Sequence, residues 1–148
     1  MTRRAGIMIA ALLCGLGAAC ADFEGTLDPA FGLPDVVIQA PTLTRDVQPL
    51  LDRRCAYGGC HSAATHQAGL TLVAASARSA LVGWPARLSP GDTLVVAGEP
   101  GRSWLLRMIG DDNAARGGFS RMPLAASPLT ANQRETIARW IARGAPQD

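Results

Sequence analysis

Two cysteines and a histidine lie close enough in the sequence to hold a cofactor together. The stretch CAYGGCHS places four residues between Cys55 and Cys60, and His61 follows directly. Covalent haem attachment needs two thiols that reach the vinyl groups on one porphyrin edge, and a histidine that reaches the iron. The usual motif has two residues between the cysteines, and here Gly58 and Gly59 provide the backbone freedom to accommodate two more. The pattern predicts haem attached through Cys55 and Cys60, with His61 as the proximal iron ligand.

Two other interpretations of these residues remain open. In an oxidising compartment Cys55 and Cys60 could form a disulfide, but that bond would close only a small loop and leave His61 without a role. Alternatively, zinc could bind Cys55, Cys60, His61 and His66. Adjacent ligands such as Cys60 and His61 are unusual for zinc, because its protein ligands are generally two or more residues apart. Covalent haem is favoured because it gives all three clustered residues a role.

A haem of this kind also needs a ligand on the other face of the iron, and three side chains are candidates. Met108 falls on the apolar face of a predicted helix, where packing in the core is expected. His66 follows His61 by only five residues. Met122 lies in a loop far along the chain, and Pro123 favours an extended backbone at the residue before it. Met122 is therefore predicted to be the distal iron ligand.

The N-terminal segment MTRRAGIMIAALLCGLGAAC has the layout of a secretory signal peptide, with a basic start, an apolar stretch and small residues. The apolar stretch is shorter than the roughly 20 residues that span a bilayer. Cys20 follows Gly17-Ala18-Ala19, as in a lipoprotein cleavage box, and would then be lipidated. The alternative is ordinary cleavage after Ala19-Cys20-Ala21. Both interpretations predict an extracytoplasmic protein in the periplasm or cell envelope, and lipidation would anchor it to a membrane.

Composition and charge limit the number of domains and the classes of binding partner that the sequence can have. A chain of 148 residues is long enough for one domain. Without Arg3 and Arg4 of the predicted signal peptide, 12 of the 14 basic residues remain against 12 acidic ones, and this neutral balance gives no reason to expect nucleic-acid binding. Residues 1–20 are predicted to be the signal peptide, 21–43 a flexible linker and 44–148 the haem domain. Aromatic residues make up only 5% of the chain, so a cofactor is expected to complete the interior.

Helical signals are the clearest local patterns. Thr130 and Gln133 fit a capping box, and Ile137, Trp140 and Ile141 then form one apolar face. The remaining sequence predicts short helices joined by long loops, which in a small domain need something inside to organise them. The predicted helices begin at Arg45 or Asp46 and run into Cys55, then cover 74–81, 102–109 and a last segment from Thr130 to Gly144.

An ordered set of short motifs resembles the planctomycete-type cytochrome c domain, a relative of class I c-type cytochromes. The likeness covers roughly residues 44–146, and only the four-residue spacing between the cysteines departs from the family's pattern. The motifs are Val47-Gln48-Pro49-Leu50-Leu51, the segment from Cys55 to His61, Gly69-Leu70-Thr71-Leu72, Ser103-Trp104-Leu105-Leu106, Arg121-Met122-Pro123 and Trp140-Ile141-Ala142-Arg143-Gly144-Ala145.

The resemblance implies a small all-α fold of the class I cytochrome c type, with long loops around one covalent haem c and with the first and last helices packed near one haem edge. It implies that Cys55 and Cys60 bind the haem and that His61 and Met122 bind its iron. The protein would then carry single electrons between redox partner proteins and would not be an enzyme. Two alternatives remain: a haem enzyme or sensor with an open sixth position, and a disulfide-bonded surface lipoprotein without a cofactor.

Overall fold

The computed structural model describes residues 27–28 and 32–148 of the chain. The predicted signal peptide and Cys20 lie outside these residues. Within them, no helix has the length and apolar character needed to cross a bilayer.

The described chain is mainly helical with little strand, which confirms the coarse class expected from the sequence. Two short antiparallel strands pair near the N-terminus, with Leu27 opposite Pro34 and Asp28 opposite Leu33. Short 3-10 turns cover Gln67–Gly69 and Pro100–Arg102. The elements in chain order are β1 (Leu27–Asp28), β2 (Leu33–Pro34), a π-helical turn (Leu43–Val47), α1 (Gln48–Arg54), α2 (Ala77–Leu81), α3 (Trp104–Ile109) and α4 (Ala131–Ala142).

The first helical segment begins two or three residues earlier than the sequence indicated. A π-helical turn starts at Leu43, where the Asp46 carboxylate accepts a hydrogen bond of 2.8 Å from the backbone N–H of Thr42. Pro49 lies in the first turn of α1, as expected, because its missing N–H removes no helical hydrogen bond there. The helix ends at Arg54, so Cys55 is the first residue after it.

Helix α4 has the capping box that the sequence predicted. Gln133 N–H donates to Thr130 Oγ1 at 3.2 Å, and Thr130 N–H donates to Gln133 Oε1 at 3.1 Å. Thr136, Ile137, Trp140 and Ile141 are buried on one side of the helix. Past its end Gly144 has a φ of +90°, a conformation that glycine adopts without steric cost.

The two ends of the domain meet at the core. Leu43 N–H donates to the carbonyl of Pro146 at 3.1 Å, and Trp140 Nε1–H donates to the same carbonyl at 2.9 Å. Trp140 is fully buried, together with Val47 and Ile141. The first helical segment and the last helix therefore pack against each other, and α1 delivers Cys55 from this rigid base.

Part of the predicted linker is packed against α4. Leu33 is 2% exposed and belongs to the main core. Ile38 N–H donates to Thr136 Oγ1 at 3.1 Å, and Asn132 Nδ2 donates to the carbonyl of Asp35 at 3.0 Å. Helix α4 therefore provides hydrogen-bond partners for residues 33–39, among them the buried hydroxyl of Thr136 and the half-buried amide of Asn132. The local composition of residues 33–39 does not reveal these partners.

A buried serine organises the loops between α2 and α3. Ser103 Oγ accepts a hydrogen bond from Val96 N–H and donates one to the carbonyl of Glu99, both at 3.0 Å. Trp104 N–H donates to the carbonyl of Thr93 at 2.9 Å. These contacts fix the start of α3 so that its face with Trp104 and Met108 points into the domain.

Candidate functional site

The motif folds into a compact loop at the end of α1. His61 N–H donates to the carbonyl of Cys55 at 2.9 Å, and Cys60 N–H donates to the carbonyl of Tyr57 at 3.1 Å. Gly59 has a φ of +84°, and no atom lies within 4 Å of where its Cβ would be. The need for glycine there is thus conformational and not steric, as expected for the extra residues between the cysteines.

The His61 ring is held in one orientation by the chain that follows it. Its Nδ1 lies 3.1 Å from the carbonyl oxygen of Gln67, an acceptor, so Nδ1 carries the proton and donates. Leu72 N–H in turn donates to the carbonyl of His61 at 2.8 Å. A histidine that donates through Nδ1 leaves Nε2 with a free lone pair, which is the arrangement of a metal-ligating imidazole.

The two cysteines are half-buried free thiols in the structure. Burial raises the pKa of the Cys55 thiol to about 12, and the nearby Arg54 cation offsets only part of this rise. The Cys55 thiol is therefore protonated at neutral pH. A hydrogen bond with Cys60 is the main cause of a raised pKa at Tyr57, which places the second thiol beside that hydroxyl.

The geometry does not favour the zinc hypothesis. In residues 27–28 and 32–148, no group of three or more His, Cys, Asp or Glu side chains is arranged to hold a metal ion. His66 is exposed, and it does not line the cavity that contains the other three candidates.

Met122 is held next to α3 by its backbone. Its N–H donates to the carbonyl of Met108 at 2.8 Å. The neighbouring Arg121 binds the Asp111 carboxylate at 2.8 Å, and Arg134 of α4 binds the other oxygen of that carboxylate at 2.7 Å. The Met122 side chain is half-buried and packs against both hydrophobic clusters of the domain, whereas Met108 is only 7% exposed.

One cavity brings the predicted haem residues together. Its volume is about 880 Å³, within the roughly 300–1,000 Å³ of typical ligand and cofactor pockets. Cys55, Cys60 and His61 line it together with Met122, and most of the remaining lining is apolar. Met108 also lines it, so its position alone does not separate core packing from a role at the site.

The cavity also contains features that the sequence did not single out. Its lining includes two arginines, Arg54 and Arg87, and no carboxylate. Arg87 lies directly over Gly69, whose absent side chain leaves room for the guanidinium. Trp104 forms another part of the wall, and the Arg107 guanidinium stacks over its ring at 4.7 Å from the centroid. Arg54 and Arg87 belong to no motif, so only their positions in space identify them, whereas Trp104 lies in one of the motifs that the sequence already offered.

Comparisons of the chain with protein-family models, with curated proteins and with solved structures found no match.

Proposed function

We propose that this protein is an extracytoplasmic monohaem c-type cytochrome that carries single electrons. The observation that supports it best is the shared cavity: Cys55, Cys60 and His61 come from one short loop, and Met122 comes from a distant one, yet all four line the same apolar space. A disulfide between the cysteines would explain neither the cavity nor the position of Met122.

In this proposal each of the four residues has a distinct task. Cys55 and Cys60 hold the haem through thioether bonds. His61 binds the iron through Nε2, because Nδ1 is engaged with the carbonyl of Gln67. Met122 would hold the iron from the opposite wall through its thioether sulfur. A bound haem would supply one-electron redox chemistry at this site.

The walls of the cavity are suited to a large flat apolar group that carries acids. Apolar side chains such as Leu72, Leu81 and Leu105 form walls against which such a group can pack. A haem also has two propionates, and the cavity offers two cations and no carboxylate to repel them. In the part of the chain that the structure describes, Arg87 has no hydrogen-bond or ion-pair partner, so its guanidinium is available to an anion.

The axial pair also predicts the redox character of the protein. A methionine ligand favours ferrous iron, so the reduction potential is expected to lie above that of a bis-histidine haem. The low polarity of the walls acts in the same direction, because it disfavours the extra positive charge of the ferric state.

The test is to produce the protein together with a haem-maturation system and to record its absorption spectrum. The proposal expects a red protein whose haem remains attached in acidified organic solvent and in denaturing gels. Single Cys55→Ser and Cys60→Ser variants should bind haem less firmly, and the double variant should lose covalent haem. A colourless wild type, or a haem that is extracted freely, contradicts the proposal.

A further inference from the structure

A buried arginine connects the segment before the cysteines to the loop after Met122. Arg54 is the last residue of α1 and precedes Cys55 directly. It is only 2% exposed. Its Nη2 group donates to the carbonyl oxygens of Ser127 and Pro128, the latter at 2.9 Å, across 73 and 74 residues of sequence.

This arrangement is costly for the chain unless the hydrogen bonds are formed. Burying a guanidinium removes its hydration, and that loss is offset only where acceptors replace the water. An apolar side chain of similar size could fill the same space without this penalty. An apolar side chain could not bind two successive backbone carbonyls and so fix the position of the loop. The Nη2 group of Arg54 can, because it carries two N–H donors in a fixed plane.

The loop is packed at its two ends, where Pro123 and Leu129 are buried, but its middle contributes little packing of its own. Leu124 is 60% exposed, and Ala125 is also exposed with a φ of +55°. On its N-terminal side, Met122 is held by the carbonyl of Met108. On its C-terminal side, Arg54 donates hydrogen bonds to the carbonyls of Ser127 and Pro128, just before Leu129 enters the main core.

We infer that Arg54 is a positioning residue that ties the loop carrying Met122 to the helix carrying Cys55, and so keeps the methionine sulfur on the cavity wall. The inference rests on the proposed function, because it concerns the placement of one axial ligand. Arg54 acts through the backbone of the 123–128 loop and does not itself bind the iron.

The experiment compares the holoprotein with Arg54→Met, which keeps an unbranched side chain but removes the guanidinium, and with Arg54→Lys, which keeps the charge. Arg143→Met is the matched control, because Arg143 is exposed at the end of α4 and away from the cavity. Ile137→Ala serves as a second control that destabilises the core without touching the cavity lining. Two quantities are measured: the imidazole concentration that displaces the methionine ligand, and hydrogen exchange of residues 123–130.

For Arg54→Met, imidazole should displace methionine at a concentration at least about tenfold lower than in the wild type, since hydrogen bonds to a charged group are lost. Exchange in the 123–130 segment should rise by a similar factor. The imidazole midpoint and the exchange rate of Arg54→Lys should lie between those of Arg54→Met and those of the wild type. Neither control should shift the imidazole midpoint beyond what its loss of thermal stability explains.

Unchanged imidazole displacement and unchanged exchange in Arg54→Met would overturn the inference, and so would an equal effect of Ile137→Ala. If Arg54→Met does not fold, Arg54→Lys decides alone, by the same two measurements. A wild type without haem or without a methionine ligand would instead refute the proposed function. In that case the exchange of the 123–130 segment still shows whether Arg54 holds the loop.

Discussion

Replacing each of the two cavity methionines separately distinguishes an electron carrier from a haem protein with an open iron site. Met122→Ala removes the proposed distal ligand, and Met108→Ala removes a methionine on the same cavity that we assign to core packing. Both changes delete the same atoms, so their different consequences come from the two locations. Oxidised wild type should show the weak far-red charge-transfer band of a methionine-ligated ferric haem.

The size of each effect is estimated from burial and from ligand chemistry. Met108 is 7% exposed, so its truncation should cost about 2–5 kcal/mol of stability, the usual range for a buried methionine. Met122 is half-buried, and burial alone should contribute about 1 kcal/mol there. Its main effect is on the iron: if the thioether favours the ferrous state by about tenfold to a thousandfold, the potential should fall by about 60–180 mV in Met122→Ala.

The assays are the far-red spectrum, carbon monoxide and imidazole binding, redox titration and thermal unfolding of the three proteins. Met122→Ala should lose the band and bind the external ligands readily, while Met108→Ala should keep the band and unfold at a lower temperature. If Met108→Ala loses the band and Met122→Ala keeps it, the assignment of the distal ligand is wrong. If the wild type already binds carbon monoxide rapidly and shows no band, the protein is not a methionine-ligated carrier.

Three further predictions concern the cavity, its charge and the N-terminus. Without haem, the apolar walls of the cavity face water instead of the porphyrin. The Cys55→Ser/Cys60→Ser chain without haem should therefore unfold with low cooperativity, and an apo form as thermostable as the holoprotein would contradict this. Arg87→Gln should lower the reduction potential by roughly 20–60 mV, since a nearby cation disfavours ferric iron, whereas Arg143→Gln should leave the potential unchanged. Equal potentials in the wild type and both variants would show that Arg87 does not act on the haem. Cys20→Ser should abolish acyl labelling and membrane association while the protein stays red, and membrane association that persists unchanged would argue against a lipid anchor.

Local patterns in the sequence were sufficient for the features that depend on neighbouring residues. The capping box of Thr130 and Gln133, the position of Pro49 in a first helical turn and the left-handed Gly59 are all determined by backbone chemistry over a few residues. The mainly helical class follows from the same short-range signals. The spacing of Cys55, Cys60 and His61 likewise predicts that these residues form one wall of the candidate site.

Tertiary structure decided everything that depends on contacts between distant segments. Only the folded chain shows that Met122 shares a cavity with His61, because nothing in the local sequence states where a loop will lie. The packing of residues 33–39 on α4 was missed for the same reason: their partners are about 100 residues away. Arg54 carries no local signal in the sequence, and its burial against Ser127 and Pro128 arises from long-range packing that brings two backbone carbonyls within its reach.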